Sequence, residues 1–253
     1  MDAACPDSTA LWRRAGGFAV GATAQLMFAV TVVWLYQFLS DTTASAAPSV
    51  FLPMLLGNVG LALLFAVPHS LLRLPHFQST IVRAIGREFF GVFYCIVTCL
   101  SLWCVFWGWQ ASDRVVWQLH GWPRGLVFAA FHLSWVALGY SLLLTGLGYQ
   151  TGFSEWSRWV RRQPLPRRRF TPTGAYRWLR HPVYLSFAGL IWFAPTMTLD
   201  HAILTAVWTL YLAVGSYLKD ERLAHYMGEE YRQYQQQVPG YPLVHWGPLG
   251  RRR

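Results

Sequence analysis

Six stretches of apolar residues divide the chain, at roughly 15–39, 50–72, 88–109, 124–147, 182–195 and 199–218. The first four have the length of about 20 residues that a membrane-spanning helix needs. The last two are shorter and lie on either side of Pro195, which cannot continue a helix. We therefore predict an all-α polytopic membrane protein with four spanning helices and a C-terminal helical hairpin over 182–218.

This pattern divides the chain into an N-terminal four-helix membrane region, 1–147, and a C-terminal region, 148–253. The second region contains an Arg-rich loop, the hairpin and a segment after it. In that segment apolar and aromatic residues recur every three or four positions, which predicts an amphipathic helix over 220–237 at the membrane surface. The residues in question are Leu223, Tyr226, Met227, Tyr231 and Tyr234.

Composition supports a membrane location. Hydrophobic residues make up 54% of the chain and charged residues 13%, about half the charged fraction of a soluble domain. These values exclude a disordered chain. The net charge is +10, which in a soluble protein points to nucleic acid.

The positions of the basic residues explain the charge in another way. Nineteen of the 21 Lys and Arg residues lie in the segments that six spans place on one side; the other two are Arg114 and Arg124. The positive-inside rule then predicts cytoplasmic N- and C-termini. We expect no nucleic-acid partner, and the Arg-rich loop can contact anionic lipid.

Metal and dinucleotide sites are not predicted. The four cysteines form no CxxC pair and have no spacing typical of zinc ligands. Gly146, Gly148 and Gly152 follow an apolar helix rather than a strand, and their spacing is wrong for a dinucleotide-binding loop.

Candidate chemistry lies in two segments that the hairpin brings to the same membrane face, 148–185 and 217–242. In the first, Pro182 is suited to the first position of a helix, whose N-terminus beside Arg180 can accept an anion. In the second, Asp220 and Glu221 can accept ligand hydroxyl or amino groups. The alternatives are interfacial anchoring for Arg180 and His181, and salt bridges to the Arg-rich loop for the two acids.

One further candidate is His69, which follows Pro68 near the cytoplasmic end of the second apolar stretch. Ionisable residues within membrane spans are often functional, although packing or helix capping is an equally good explanation of this one.

Together these residues resemble a known family. The run Arg180–Leu185, the hairpin with Pro195, and then Asp220, Glu221 and Tyr231 are similar to the isoprenylcysteine carboxyl methyltransferase-type membrane methyltransferases. The run 66–70, Ala-Val-Pro-His-Ser, and the Phe-Trp-Gly-Trp run at 106–109 resemble the methanethiol S-methyltransferase and NnrU-like branch.

The resemblance implies an enzyme of a bacterial inner membrane that transfers a methyl group from S-adenosylmethionine to a small thiol such as methanethiol, which gives a thioether (dimethyl sulfide). His69 and Ser70 are then expected near the acceptor as catalytic residues. The expected cofactor-binding residues are Tyr176, Arg180, His181, Pro182, Tyr184, Leu185, Asp220, Glu221 and Tyr231. The aromatic faces of Tyr176 and Tyr184 are suited to a sulfonium cation.

Two other functions stay open at this point. One is a membrane reductase that uses NADPH, with Arg167, Arg168 and Arg169 on the 2′-phosphate. The other is a non-enzymatic NnrU-like membrane protein, which needs the fold but not the cofactor pocket.

Overall fold

The computed structural model describes residues 8–41, 43–165, 171–244 and 247–251, with side chains from residue 12 onward. Five of its helices are long and apolar enough to cross a membrane, a pattern typical of an integral membrane protein. The helices are α1 (Ser8–Ser40), α2 (Phe51–Leu71), α3 (Pro75–Ile85), α4 (Arg87–Gly108), α5 (Gly121–Thr145), α6 (Leu147–Gln150), α7 (Phe153–Val160), α8 (Pro182–Trp192), α9 (Leu199–Met227) and α10 (Glu229–Gln237).

The five long helices are α1, α2, α4, α5 and α9, so the first four agree with the predicted spans. The hairpin is asymmetric. Helix α8 has 11 residues and is about 16 Å long, half the thickness of a bilayer core, whereas α9 has 29 residues and is about 44 Å long. Its length makes α9 a fifth candidate span.

The fold is helical as predicted, with one short strand in the turn of this hairpin. Strand β2 (Thr196–Thr198) pairs antiparallel with β1 (Val115–Gln118), which precedes α5. The carbonyl of Pro195 also accepts a hydrogen bond from the backbone N–H of Leu119, at 2.9 Å. Two segments of the same end of the molecule thereby satisfy each other's backbone groups, a tertiary pairing that neither segment predicts alone.

The predicted bounds of the amphipathic helix, 220–237, are corrected by the structure. Asp220 lies inside α9, which continues to Met227, and only Glu229–Gln237 form a separate helix, α10. Gly228 divides them with φ +61°, a backbone angle that residues with a side chain rarely adopt. Tyr231 and Tyr234 then fold back against Ala224 of α9.

Helix α4 lies between α1 and α2, α9 packs against α2 and α8, and α5 packs against α8. The central apolar cluster joins these helices through buried side chains such as Leu102, Phe131, Leu190 and Trp208. Pro68 interrupts the hydrogen bonding of α2 one turn before its end. The last turn of α2 and the C-terminal third of α9 meet at the end of the molecule opposite the β-strands, and the candidate site lies there.

Candidate active site

A cavity of about 580 Å³ lies between α1, α2, α4, α5, α8 and α9, within the size range of small-molecule sites. Its two ends differ. One is polar and cationic, and its described lining residues include His69, Ser70, Arg73, Tyr94, Gln150, Tyr176, Tyr184, Lys219 and Arg222. The other is apolar, with Phe28, Leu35, Leu102, Trp135, Leu138, Phe187 and Trp208. The cavity therefore suits a polar ligand beside an apolar one.

His69 is held at the polar end by α4. Its Nδ1 lies 3.3 Å from the hydroxyl oxygen of Thr98, and that hydroxyl donates its own proton to the carbonyl of Tyr94 at 2.8 Å. Because the hydroxyl proton of Thr98 is already committed, Nδ1 of His69 is the donor in their contact. The imidazole then keeps the lone pair of Nε2 as a proton acceptor.

Tyr94 fixes the backbone of the same residue. The Tyr94 hydroxyl donates to the carbonyl of His69 at 3.2 Å, one of the carbonyls that the end of α2 leaves without a helical partner. The ring centroids of Tyr94 and His69 are 5.0 Å apart. The Arg73 guanidinium carbon lies 4.9 Å from the centroid of the same Tyr94 ring, in cation–π geometry.

Lys219 and Arg222 face the cavity from α9, three residues and hence about one turn apart. The Lys219 ammonium lies 5.4 Å from the ring centroid of Tyr184 and 5.7 Å from that of Tyr176. Together with Arg73 they give the polar end three cations, which we call the cationic trio. No Asp or Glu is among the described residues that line the cavity.

Beside the cavity, Arg180, His181, Asp220 and Tyr231 form a closed polar cluster, here called the clamp. Asp220 Oδ2 accepts from Arg180 Nη2 at 2.9 Å and lies 3.2 Å from His181 Nε2. Its Oδ1 accepts from the Tyr231 hydroxyl at 2.6 Å. Arg180 is only 1% exposed. Such a buried ion pair is stable only when its remaining donors and acceptors are satisfied.

The C-terminal segment supplies the remaining partners of Arg180. Arg180 Nη1 donates to the carbonyls of Gln235, Val238 and Gly250 at 3.1, 2.7 and 2.9 Å. The backbone N–H of His181 donates to Gly240 at 3.2 Å. The guanidinium is therefore saturated by protein groups, and the tail covers the entry to α8, whose N-terminus the sequence analysis expected to accept an anion.

Burial also sets the protonation of the clamp. It lowers the pKa of His181 below its usual value, against the opposing effect of the Asp220 carboxylate. Burial and the Asp220 charge raise the pKa of Tyr231, so its hydroxyl stays protonated and donates. The clamp thus contains one carboxylate, one guanidinium and a neutral imidazole.

The structure separates the predicted site residues into three groups. His69, Ser70, Tyr176 and Tyr184 line the cavity. Pro182 begins α8 as predicted. It lies beside the clamp, which contains Arg180, His181, Asp220 and Tyr231. Leu185 and Glu221 are exposed on the outside of their helices, and the Arg residues at 167–169 lie outside the described residues.

Sequence reasoning missed Arg73, Tyr94, Thr98, Lys219 and Arg222. The three cations were interpreted only as topology signals, because basic residues commonly flank spans. The spacing of Lys219 and Arg222, on one face of a helix that continues past the apolar stretch, was the available signal. Thr98 lies within an apolar stretch and carries no signal that distinguishes it from a packed residue.

Comparison with known proteins identifies the class. Residues 54–244 match the family described as NnrU protein, and the chain belongs to that family. It is 29% identical to methanethiol S-methyltransferase 1 of Bradyrhizobium diazoefficiens over 90% of this chain and 82% of the relative. It is 29% identical to methanethiol S-methyltransferase of Pseudomonas sp. over 84% of each.

A second type of relative is Nurim of Rattus norvegicus, 28% identical over 69% of this chain and 70% of the relative. No solved structure matches the chain. The sequence-based assignment to the NnrU-like branch is confirmed, and methyltransferase relatives cover most of the chain.

Proposed function

We propose that this protein is a membrane methyltransferase that uses S-adenosylmethionine and methylates a small thiol. The observation that carries the proposal is the two-ended cavity: a cationic, Tyr-lined end is continuous with an apolar end. The names of the most similar relatives supply the reaction class, methyl transfer to methanethiol.

The residues present fit the proposed cofactor. S-adenosylmethionine combines a carboxylate, an aromatic base and a sulfonium cation. The cationic trio matches the carboxylate, and the rings of Tyr94, Tyr176 and Tyr184 offer faces to the base and to the cation. Bound there, the cofactor supplies an electrophilic methyl group.

The chain's own residues then activate the acceptor. A thiol reacts as its thiolate, and the positive charge of the polar end favours that anion. The thiol proton passes to Nε2 of His69, whose tautomer Thr98 sets. With S-adenosylmethionine held by the cationic trio and the tyrosines, this thiolate would accept its methyl group, which would leave a thioether and S-adenosylhomocysteine.

Ser70 and the apolar end complete the arrangement. Ser70 follows His69 on α2 and lines the same polar end, where its hydroxyl can contact the acceptor sulfur. The apolar end excludes water, which strengthens the electrostatic effect of the cations. It also gives the hydrocarbon part of the acceptor a place to bind, so that the nucleophile is held close to the methyl group.

The direct test is transfer of an isotopically labelled methyl group from S-adenosylmethionine to methanethiol by purified protein in detergent, read as labelled dimethyl sulfide in the headspace. We expect time-dependent label in the thioether and a loss of about 100-fold in kcat for His69→Gln. The absence of labelled thioether with methanethiol and with other short alkyl thiols would refute the proposed activity.

A further inference from the structure

We infer that the cationic trio, Arg73, Lys219 and Arg222, is the carboxylate subsite of the cavity and binds the amino-acid carboxylate of S-adenosylmethionine. This inference rests on the proposed function and goes further, because it assigns the ligand's orientation. It also gives Arg180, which the resemblance places among the cofactor-binding residues, a structural role instead.

The three cations of the trio lack bonded partners in the part of the chain that the structure describes. Among the described residues, none of the three cations makes a salt bridge or a side-chain hydrogen bond; Arg73 and Lys219 have only cation–π contacts with tyrosines. All three are partly buried. Partly buried like charges to which no described carboxylate is bonded are unfavourable, and an anionic ligand reduces that penalty.

The second argument is that the nearest carboxylate is unavailable to them. Asp220 is adjacent to Lys219 in sequence, yet both of its oxygens are engaged by Arg180, His181 and Tyr231. Glu221 is exposed on the outer side of α9. We therefore expect the counter-charge to come from a ligand that enters the cavity.

The third argument is chemical. Guanidinium groups bind carboxylates through paired, charge-assisted hydrogen bonds, and the trio offers two guanidiniums and an ammonium from two different elements, the segment after α2 and helix α9. Arg180 has no such capacity left, because Asp220 and the tail carbonyls already occupy its donors.

The assignment has a consequence for orientation. A carboxylate at Arg73 and Arg222 places the amino-acid end of the cofactor at the polar end, next to the Tyr176 and Tyr184 rings that Lys219 contacts. Those two rings are then the aromatic faces available to the sulfonium.

The experiment compares two ligands that differ by one group, S-adenosylmethionine and its decarboxylated analogue, by titration calorimetry on the full-length protein in detergent. The variants are Arg222→Gln, Arg73→Gln and the conservative Arg222→Lys. Arg232→Gln on the exposed side of α10 is the matched control. Elution profile and thermal midpoint establish that each variant is folded.

We expect the wild type to bind S-adenosylmethionine at least tenfold more tightly than the decarboxylated analogue. Arg222→Gln and Arg73→Gln should each lower the affinity for S-adenosylmethionine by tenfold or more. Each should change the affinity for the decarboxylated analogue by less than threefold. Arg222→Lys should recover part of the loss, and Arg232→Gln should match the wild type.

Equal affinities of the wild type for both ligands, or equal weakening of both by Arg222→Gln, would overturn the carboxylate assignment while the methyltransferase proposal stands. If the wild type binds neither ligand but binds NADPH, the methyltransferase proposal fails, and the assignment falls with it. The two failures are thus distinguishable in one set of titrations.

Discussion

The clamp and the cationic trio are neighbours in sequence and opposites in chemistry. Lys219 and Asp220 are adjacent, yet the carboxylate of Asp220 is surrounded by donors, whereas Lys219 faces the cavity. In the clamp, charge is neutralised inside the protein. In the trio it is not bonded by protein groups, and we therefore propose that the clamp stabilises the fold whereas the trio binds a ligand.

The clamp explains how the C-terminal segment is retained. One guanidinium joins α9, through Asp220, to carbonyls that follow α10 and to others near the end of the described chain. These charge-assisted hydrogen bonds fix the position of the segment, together with the packing of Val238 against the cluster around Ala224. We therefore expect the motif residues Arg180 and His181 to act through stability rather than through contact with the cofactor.

The largest expected effect is on stability. Arg180→Gln leaves Asp220 buried without its main counter-charge and releases the tail carbonyls, which should destabilise the protein by about 3–5 kcal/mol. Arg222→Gln, which removes a cation from a trio of like charges, should leave the thermal midpoint unchanged or raise it. Thermal unfolding in detergent measures both.

Arg177→Gln is the matched control for this pair, because Arg177 is exposed three residues earlier in the chain. Its midpoint should equal that of the wild type. Comparable losses of stability in the Arg180 and Arg222 variants would remove the distinction between the clamp and the trio.

The next effect is on catalysis without loss of stability. Thr98→Val removes the acceptor that holds His69 in one tautomer and should lower kcat about tenfold, with little change in the affinity for S-adenosylmethionine. Thr98→Ser keeps the hydroxyl and should retain most of the activity. Steady-state kinetics with methanethiol, combined with calorimetry, separates the two effects.

The tautomer itself can be observed independently of activity, by ¹⁵N spectra of labelled histidine with His69→Gln to assign the signal. We expect a protonated Nδ1 in the wild type and mixed tautomers in Thr98→Val. A protonated Nε2 in the wild type would contradict the proposed role of His69 as base.

The smallest effect is the pH dependence of the clamp. Because burial holds the pKa of His181 below the unfolded value of about 6.5, the unfolded state takes up a proton first as the pH falls. The contribution of His181 to stability is therefore fully present above about pH 6.5 and is lost progressively as the pH falls below that value. As the pH is lowered from 8 to 5.5, the thermal midpoint should fall in the wild type and fall less steeply in His181→Gln. An equal fall in both proteins would show that another group causes the pH dependence.

Much of the fold could be predicted from the sequence, because spanning helices are local features. An apolar stretch of sufficient length predicts each of the first four long helices, and Pro195 marks the hairpin turn. The pairing of Thr196–Thr198 with Val115–Gln118 was not predictable, since it depends on two distant segments that meet. The length of α9 was missed because Lys219, Asp220 and Arg222 end its apolar stretch without ending the helix.

The candidate site was predictable in part for a related reason. The motif located Tyr176, Tyr184 and His69, which line the cavity, but it could not indicate which charged residues face inward. Arg180 and Arg222 are the same type of residue, and nothing in the sequence distinguishes their environments. Only the fold shows that one is enclosed by carbonyls and the other faces a cavity.

The measurement that tests the account most directly is a calorimetric titration of the wild-type protein with S-adenosylmethionine and, in parallel, with NADPH. The account predicts one saturable site for S-adenosylmethionine and no saturable heat with NADPH. Saturable binding of NADPH, or no binding of S-adenosylmethionine by folded protein, would contradict it.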